Sequence, residues 1–237
     1  MLRTINFDRH PDRRLIFIGD IHGCYDELTK LLARVAPGPQ DLVVSVGDIV
    51  RKGPAVERCL ELWRERGYLA VLGNNEEEVL RSRWSGLLAA LFARKDRELL
   101  RRGDLVDYVR SWPVAIDFPD AGVAAVHGGF APGMAVDYET VVRRHHDIVR
   151  MRFVKRNGSD WQRVPKGKET KSDPLWAEVW DGNRTIVYGH TPLKEPRFDA
   201  KAIGIDTGCV YGRRLTAAIW QGGEWTVESV KAKRAYA

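Results

Sequence analysis

The 237-residue chain has 44% hydrophobic and 30% charged residues, with 22 glycines and 11 prolines. This composition is typical of a folded globular protein, and it excludes a collagen, a disulfide scaffold and a disordered chain. The net charge of +6 favours anionic partners, namely phosphorylated molecules, nucleic acid or acidic protein surfaces, without selecting among them.

The first half of the chain predicts an alternation of strands and helices with short connections. Apolar runs predict buried strands at 14–19, 42–47 and 68–73, and helical periodicity predicts helices at 25–35, 54–66 and 75–102. This alternation favours parallel strand pairing with right-handed crossovers.

After Pro113 the pattern changes to shorter strands, predicted at 113–118, 122–126, 185–188, 202–205, 215–221 and 224–230. Gly222-Gly223 predicts a hairpin turn between the last two. A helix is predicted at 138–152. Residues 155–172 are predicted to form a loop, with six basic residues against two acidic ones. We expect a single α/β domain over residues 1–237.

The cysteines and the N-terminus indicate the compartment. Cys24, Cys59 and Cys209 have no paired spacing, which suits free thiols in a reducing environment. Residues 1–14 lack the apolar run of a signal peptide, and no apolar stretch approaches the roughly 18 residues that cross a bilayer. We therefore expect a cytoplasmic protein without membrane association.

Polar side chains cluster where the predicted strands end, and such ends line a common crevice in open α/β sheets. The candidates are three oxygen donors and three imidazoles: Asp20, His22, Asp48, Asn74, His127 and His190. Mixed oxygen and nitrogen ligands suit Mn²⁺, Fe²⁺ or Zn²⁺. Six ligands exceed one tetrahedral zinc but match two metal ions that share a carboxylate. Such a pair could hold a phosphate and a hydroxide, which predicts a dinuclear phosphoesterase.

The motifs GDIHG, GDIVRKGP, GNNE, HGG and GHTP, in this order, resemble the signature of metallophosphoesterases of the serine/threonine phosphoprotein phosphatase superfamily. The resemblance covers about residues 14–221. GCY at 23–25, KGP at 52–54 and IDTGCVYG at 205–212 are most similar to the ApaH-like (diadenosine tetraphosphatase-like) branch. It implies a calcineurin-like α/β fold, with two mixed β-sheets sandwiched between helices. It also implies hydrolysis of phosphoester or phosphoanhydride bonds by direct attack of a metal-bound hydroxide.

The resemblance also assigns roles to residues. It places Asp20, His22 and a bridging Asp48 on the first metal ion, and Asn74, His127 and His190 on the second. Mn²⁺ is the first expectation, with Fe²⁺ and Zn²⁺ as alternatives. Asp206 matches a supporting acidic residue, which we expect to orient a ligand or a nearby side chain. Lys52 is the first candidate phosphate ligand. Arg152 is a second, although surface charge is the favoured interpretation for it.

Asn75 departs from the family pattern, which has a histidine there as the general acid. An amide cannot deliver a proton near neutral pH. Two explanations stay open: substrates with good leaving groups, or a chain altered at this position to abolish turnover. If Asn75 takes part in catalysis, Asn75→His should raise the turnover of alkyl phosphates.

Two functions therefore stay open. The first is a metal-dependent phosphatase whose substrate is a dinucleoside polyphosphate, a phosphoprotein or another phosphoester, and the missing general acid favours phosphoanhydrides. The alternative is a catalytically weak phosphate- or RNA-end-binding protein of the same fold. Trp161, Trp176 and Trp180 could stack on a nucleobase, although core packing is the favoured interpretation for the last two.

Overall fold

The computed structural model describes residues 1–7, 12–82 and 94–237. The elements follow in the order β1 (Leu2–Thr4), β2 (Leu15–Ile18), α1 (Tyr25–Val35), β3 (Leu42–Ser45), α2 (Val56–Glu65), β4 (Leu69–Ala70), α3 (Asn74–Ser82), α4 (Arg94–Arg101), α5 (Gly103–Arg110), β5 (Ala115–Phe118), β6 (Val123–Val126), α6 (Tyr138–Ile148), β7 (Val154–Asn157), β8 (Asp160–Arg163), α7 (Trp176–Val179), β9 (Thr185–Tyr188), β10 (Arg197–Asp199), β11 (Ala202–Gly204), β12 (Arg214–Gln221) and β13 (Glu224–Lys231). In these ranges no helix combines the length and the apolar character needed to span a membrane.

The described strands form two large mixed sheets and one small hairpin. The first sheet has the order β13-β12-β2-β3-β4 and the second the order β1-β5-β6-β9-β11-β10. Strands β2, β3 and β4 are parallel, with β4 at the edge, whereas β12 is antiparallel to both β2 and β13. Strands β7 and β8 pair with each other. The two mixed sheets confirm the fold class expected from the sequence.

The sheets pack face to face, and helices cover their outer faces. Leu15 and Phe17 of β2 belong to the apolar cluster that includes Ile116 and Phe118 of the second sheet. The alternate residues Ile16 and Ile18 instead belong to a cluster with side chains of α1 and α2. Strand β2 is thus buried on both faces, which explains its uninterrupted apolar sequence.

Most predicted elements are confirmed. Helix α1 and strand β9 have the predicted ends, and β12 and β13 form the predicted hairpin around Gly222-Gly223. Trp176 and Trp180 are buried in the core, as the favoured interpretation held. The predicted helix at 75–102 corresponds to α3 and α4, and its middle, 83–93, lies outside the described residues.

The prediction of a loop at 155–172 was wrong for its first half. Residues 154–163 form the β7–β8 hairpin, in which Arg156 pairs with Trp161. Its polar, charged sequence hid this because most of the hairpin side chains are exposed. The sequence also did not reveal β1, β10 and α5, and α6 ends at Ile148 instead of continuing to residue 152.

Candidate active site

The six candidate metal ligands lie on loops that follow strands of both large sheets. Asp20 and His22 follow β2, and Asp48 follows β3. Asn74 opens α3 just after β4, while His127 and His190 follow β6 and β9 of the second sheet. Because these strand ends lie at one edge of the sandwich, the loops bring side chains from distant parts of the chain together.

Asp48 lies at the centre of this group. Its Oδ2 is 3.4 Å from His22 Nε2, and its Oδ1 is 3.4 Å from His127 Nε2. Asp20 Oδ2 is 3.9 Å from the same His22 nitrogen. Asp20, Asp48 and His127 offer ligand atoms that all lie within 4.8 Å of one another.

The remaining two candidates extend the group on the side of His127. Asn74 Oδ1 and His190 Nδ1 each lie 3.2 Å from His127 Nε2. The backbone N–H of His190 donates to Asp20 Oδ1 at 3.2 Å, which ties the two ends of the group together. The structure therefore brings all six predicted side chains to one place.

The protonation states of His22 and His127 indicate which kind of ligand the six side chains can bind. The Nδ1–H groups of His22 and His127 donate to the carbonyl oxygens of Val50 and Val46, each at 2.9 Å. Burial lowers the pKa of His22 to about 4 and also lowers that of His127, so both rings are neutral. Each Nε2 lone pair therefore faces an Asp48 carboxylate oxygen. In this structure the Lys52 ammonium lies 2.8 Å from the His22 Nε2 lone pair. A carboxylate that meets two neutral imidazoles in this way forms a donor set that fits a metal ion.

The carboxylates supply a second reason for a cation. Burial, together with the neighbouring charges of Asp206 and Asp48, raises the pKa of Asp20 well above its usual value. Burial and the charge of Asp48 likewise raise the pKa of Asp206 to about 6, against the effect of its hydrogen bond from Gly208. Three buried carboxylates at one edge thus repel one another unless positive charge lies among them.

The backbone around the group is held in conformations that side chains rarely adopt. His22, Asp48, Lys52 and His190 all have positive φ, between 46° and 66°. Gly73 is required by close approach, since a Cβ there would lie 2.2 Å from Asp48 Oδ1. Left-handed non-glycine residues cost free energy and cluster at functional sites.

Glu76 is a residue of this site to which the sequence analysis gave no role. It is fully buried, and its carboxylate accepts the backbone N–H groups of Asp48, Val50 and Gly73 at 2.9, 3.0 and 2.8 Å. Burial and the charge of Asp48 raise its pKa to about 8. Glu76 therefore fixes the two loops that follow β3 and β4. Its position in the GNNE motif was the available signal.

Asn75 contacts the central carboxylate on both sides. Its backbone N–H donates to Asp48 Oδ1 at 3.0 Å, and its side-chain amide donates to Asp48 Oδ2. The side chain thus positions Asp48. Asp206 lines the same group, and its Oδ1 accepts the N–H of Gly208 in its own turn at 3.0 Å.

A cavity of about 440 Å³ opens above the group, and its lining includes basic side chains together with the carboxylates of Glu78 and Glu169. The cations that line it are Lys52, Arg150, Arg152, Arg163 and Lys166. Lys52 Nζ lies 2.8 Å from His22 Nε2, and Arg152 Nη2 donates to the carbonyl oxygen of His190 at 2.8 Å. Arg152 therefore faces the cavity, which argues against its interpretation as surface charge. Arg150 also lines the cavity and pairs with Glu77.

Known proteins resemble this chain over most of its length. Symmetrical bis(5'-nucleosyl)-tetraphosphatase of Chromohalobacter salexigens is 26% identical over 92% of this chain and 98% of its own. Asymmetrical bis(5'-nucleosyl)-tetraphosphatase of Bacillus subtilis is 28% identical, with coverage of 84% and 87%. Serine/threonine-protein phosphatase 1 of Salmonella typhimurium is 29% identical, with coverage of 87% and 91%.

Solved structures show the same fold. The crystal structure of a protein provisionally assigned as a diadenosine tetraphosphatase matches with a TM-score of 0.79 and 30% identity, over 98% of this chain and 97% of that one. A serine/threonine phosphatase of Saccharomyces cerevisiae shares the fold at a TM-score of 0.61 and 14% identity, over 98% and 84%. The sequence profile described as calcineurin-like phosphoesterase matches residues 13–221. This chain therefore belongs to the calcineurin-like phosphoesterase family, whose members are metal-dependent hydrolases.

Proposed function

We propose that this protein hydrolyses phosphoanhydride bonds, with dinucleoside polyphosphates as its substrate class. The observation that carries the proposal is Asp48, which lies between two neutral imidazoles at the floor of a cavity that Lys52 and Arg152 also line. Relatives named bis(5'-nucleosyl)-tetraphosphatase support the substrate class, since this chain covers 87% or more of their length.

Six side chains would hold two divalent metal ions. Asp20 and His22 would bind the first ion, Asp48 would bridge both, and Asn74, His127 and His190 would bind the second. Mn²⁺ suits this mixture of carboxylate, amide and imidazole donors, and Fe²⁺ and Zn²⁺ are the alternatives. Bound ions of this kind acidify water and polarise the phosphoryl group.

The chain's own cations would bind and orient the phosphates. Lys52 and Arg152 line the cavity beside the candidate ligands, so they can neutralise charge that builds up on the transferred phosphoryl oxygens. The planar guanidinium of Arg152 can bind two phosphate oxygens at once, whereas Lys52 acts as a point charge. Asp206 would act as a supporting carboxylate by holding its own turn beside Asp20.

The leaving group follows from Asn75. Its amide is bound to Asp48 and has no proton to give at neutral pH. A phosphoanhydride releases a phosphate, which leaves readily without protonation, whereas an alkyl alcohol does not. The site therefore suits anhydrides better than alkyl esters.

An activity screen with Mn²⁺ tests the proposal. Diadenosine tetraphosphate, p-nitrophenyl phosphate and a phosphoserine peptide are compared, and diadenosine tetraphosphate is expected to give the highest kcat/KM. Asp48→Asn should lower it by about 10² or more, as expected for loss of a central electrostatic group. Asp107→Asn, an exposed change on α5, is the control. A higher kcat/KM for the phosphoserine peptide would instead identify a phosphoprotein phosphatase.

The amide at position 75 also favours a second candidate, a catalytically weak binding protein for phosphorylated ligands or RNA ends. Such a protein binds metal ions and shows salt-dependent affinity for a 5'-phosphorylated RNA, without turnover. Turnover of any substrate in the screen that is lost in Asp48→Asn eliminates this candidate.

A cytoplasmic location is part of the proposal. Cys24, Cys59 and Cys209 are all free and buried, as in proteins of reducing compartments. Fractionation of the source cells tests it, and recovery of the protein outside the cytoplasm would contradict it.

A further inference from the structure

The basic segment after α6 folds into a hairpin with two different faces. In the β7–β8 ladder Arg156 lies opposite Trp161, and Val154 lies opposite Arg163. Directly opposed residues share a face of a sheet, and so do residues two apart in a strand. Val154 is fully buried, so the face that carries these four residues is turned toward the protein.

This inner face connects two cavities. Arg163 lines the cavity of about 440 Å³ above the candidate metal ligands, here termed the catalytic cavity. It also lines a neighbouring cavity of about 680 Å³, here termed the hairpin groove. Residues that line the hairpin groove include Arg144, Asp147, Arg156, Trp161, Arg163 and Asp181. Trp161 lies two residues before Arg163, a distance of roughly 7 Å along a strand. A phosphate chain that starts in the catalytic cavity can therefore reach the groove past Arg163.

The two cavities differ in charge. Apart from the three carboxylates at its floor (Asp20, Asp48 and Asp206), the catalytic cavity is lined by five basic and two acidic side chains, which suits phosphates. The hairpin groove carries arginines and aspartates together, which suits a neutral polar group with donors and acceptors. Asp147 holds Arg163 in place by accepting its Nε–H at 2.9 Å.

The hairpin groove also contains a cation–π stack. The guanidinium of Arg156 lies 5.3 Å from the ring centroid of Trp161, while Trp161 packs against the core. Arg156 itself is exposed. Nucleobases stack on aromatic rings and on arginine guanidinium planes, and both surfaces are present here.

We propose that the hairpin groove is a nucleoside subsite, in which the Trp161–Arg156 stack binds a nucleobase at the far end of a polyphosphate. Arg163 and Lys166 guide the phosphates from the catalytic cavity toward it. The inference rests on the proposed function, since it takes a dinucleoside polyphosphate as the ligand. Trp161 and Arg156 are specificity-determining residues and make no contact with the reacting phosphate.

Inhibition of p-nitrophenyl phosphate hydrolysis tests the subsite whether or not the inhibitor is itself hydrolysed. Two inhibitors are compared: diadenosine tetraphosphate, which carries nucleosides, and inorganic tripolyphosphate, which carries none. Trp161→Ala should raise the Ki of diadenosine tetraphosphate by roughly ten-fold, the size of a lost base–aromatic contact. Arg156→Ala should act in the same direction, and Trp161→Phe should retain most of the affinity. The Ki of tripolyphosphate and the KM of p-nitrophenyl phosphate should not change.

Lys155→Ala is the matched control, because it removes a charge from the opposite, exposed face of β7. The inference is wrong if Trp161→Ala leaves the Ki of diadenosine tetraphosphate unchanged, or raises that of tripolyphosphate equally. It is also wrong if diadenosine tetraphosphate does not inhibit the wild-type protein. Wild-type inhibition without hydrolysis, weakened by Trp161→Ala, supports the subsite while contradicting the proposed substrate. Hydrolysis of diadenosine tetraphosphate with a Ki that does not change in Trp161→Ala supports the proposed substrate and contradicts the subsite.

Discussion

Asp48 owes its position to contacts from three separate segments. Asn75 donates to both of its oxygens, His22 and His127 flank it, and Glu76 accepts its backbone N–H. A carboxylate held on every side loses little further freedom when it binds a cation. This preorganisation is the physical reason to assign Asp48 as the bridging ligand.

Asn75→His tests the missing general acid. An imidazole at this position can protonate a leaving alkoxide, an effect that typically contributes about 10²–10⁴ in rate. We expect kcat for a phosphoserine peptide to rise by up to about 10²–10⁴-fold. The kcat for p-nitrophenyl phosphate should change far less. Asn75→Ala, which lacks both groups, is the control. If the alkyl phosphate is turned over no faster by the histidine variant, position 75 has no part in leaving-group departure.

Glu76→Gln tests the support beneath the metal centre. Glutamine keeps only one side-chain oxygen, so its NH2 group would face at least one of the three backbone N–H groups that the Glu76 carboxyl oxygens now accept. Leaving such groups unsatisfied should lower the free energy of unfolding by about 1–3 kcal/mol and weaken Mn²⁺ binding. Urea denaturation and calorimetric titration measure the two effects. Glu65→Gln, an exposed change at the end of α2, is the control, and equal stability of the two variants would contradict this role.

At the level of elements, the residues explain which predictions succeeded. Strands β2 and β3 were predictable because burial on both faces requires continuous apolar residues. The β7–β8 hairpin has only one side turned inward, and that side carries arginines and a tryptophan, so its sequence pattern resembles a loop. Strand β1 pairs only with β5 at the edge of its sheet, which leaves a weak signal in three residues.

The sequence likewise predicted only some of the residues of the candidate site. The six candidate ligands were predictable because polar residues directly after apolar strands stand out in the sequence. The roles of Glu76 and of the Asn75 amide were not, because they depend on backbone N–H groups and carboxylate oxygens that only the folded loops bring together.

An ion pair at the start of β2 and β3 gives a prediction for acid stability. Asp41, just before β3, accepts from the guanidinium and the backbone N–H of Arg14 and from the N–H of Gly38. Burial opposes its ionisation, but these hydrogen bonds and the Arg14 charge outweigh burial and hold the pKa of Asp41 below its usual value. The folded state therefore favours the ionised form.

Asp41→Asn should lower the free energy of unfolding by about 1.5–3 kcal/mol at pH 7, the range for hydrogen bonds to a charged group. Because the folded pKa is depressed, this difference persists above the ordinary carboxyl pKa of about 4 and is lost as the pH falls through the lower, folded value. Urea titrations of both proteins at several pH values measure it. A difference that grows on acidification would contradict the assignment.

On the scale of the whole molecule, we propose that residues 1–237 form one cooperative domain. Side chains of both sheets share the central apolar cluster, so neither sheet can open without exposing it. Trp63, Trp176 and Trp220 belong to three different clusters, so fluorescence reports on each layer. Thermal unfolding followed by fluorescence and by far-UV circular dichroism should give one coincident transition. Two separated transitions would indicate two domains.

Loops from both sheets converge at one edge of the sandwich, where we propose that they bind a pair of divalent ions. Elemental analysis of protein reconstituted with Mn²⁺ and freed of excess metal tests it most directly. We expect two ions per chain in the wild-type protein and a clear loss in Asp48→Asn, which removes the shared carboxylate. Wild-type protein that retains no more metal than Asp48→Asn would contradict it.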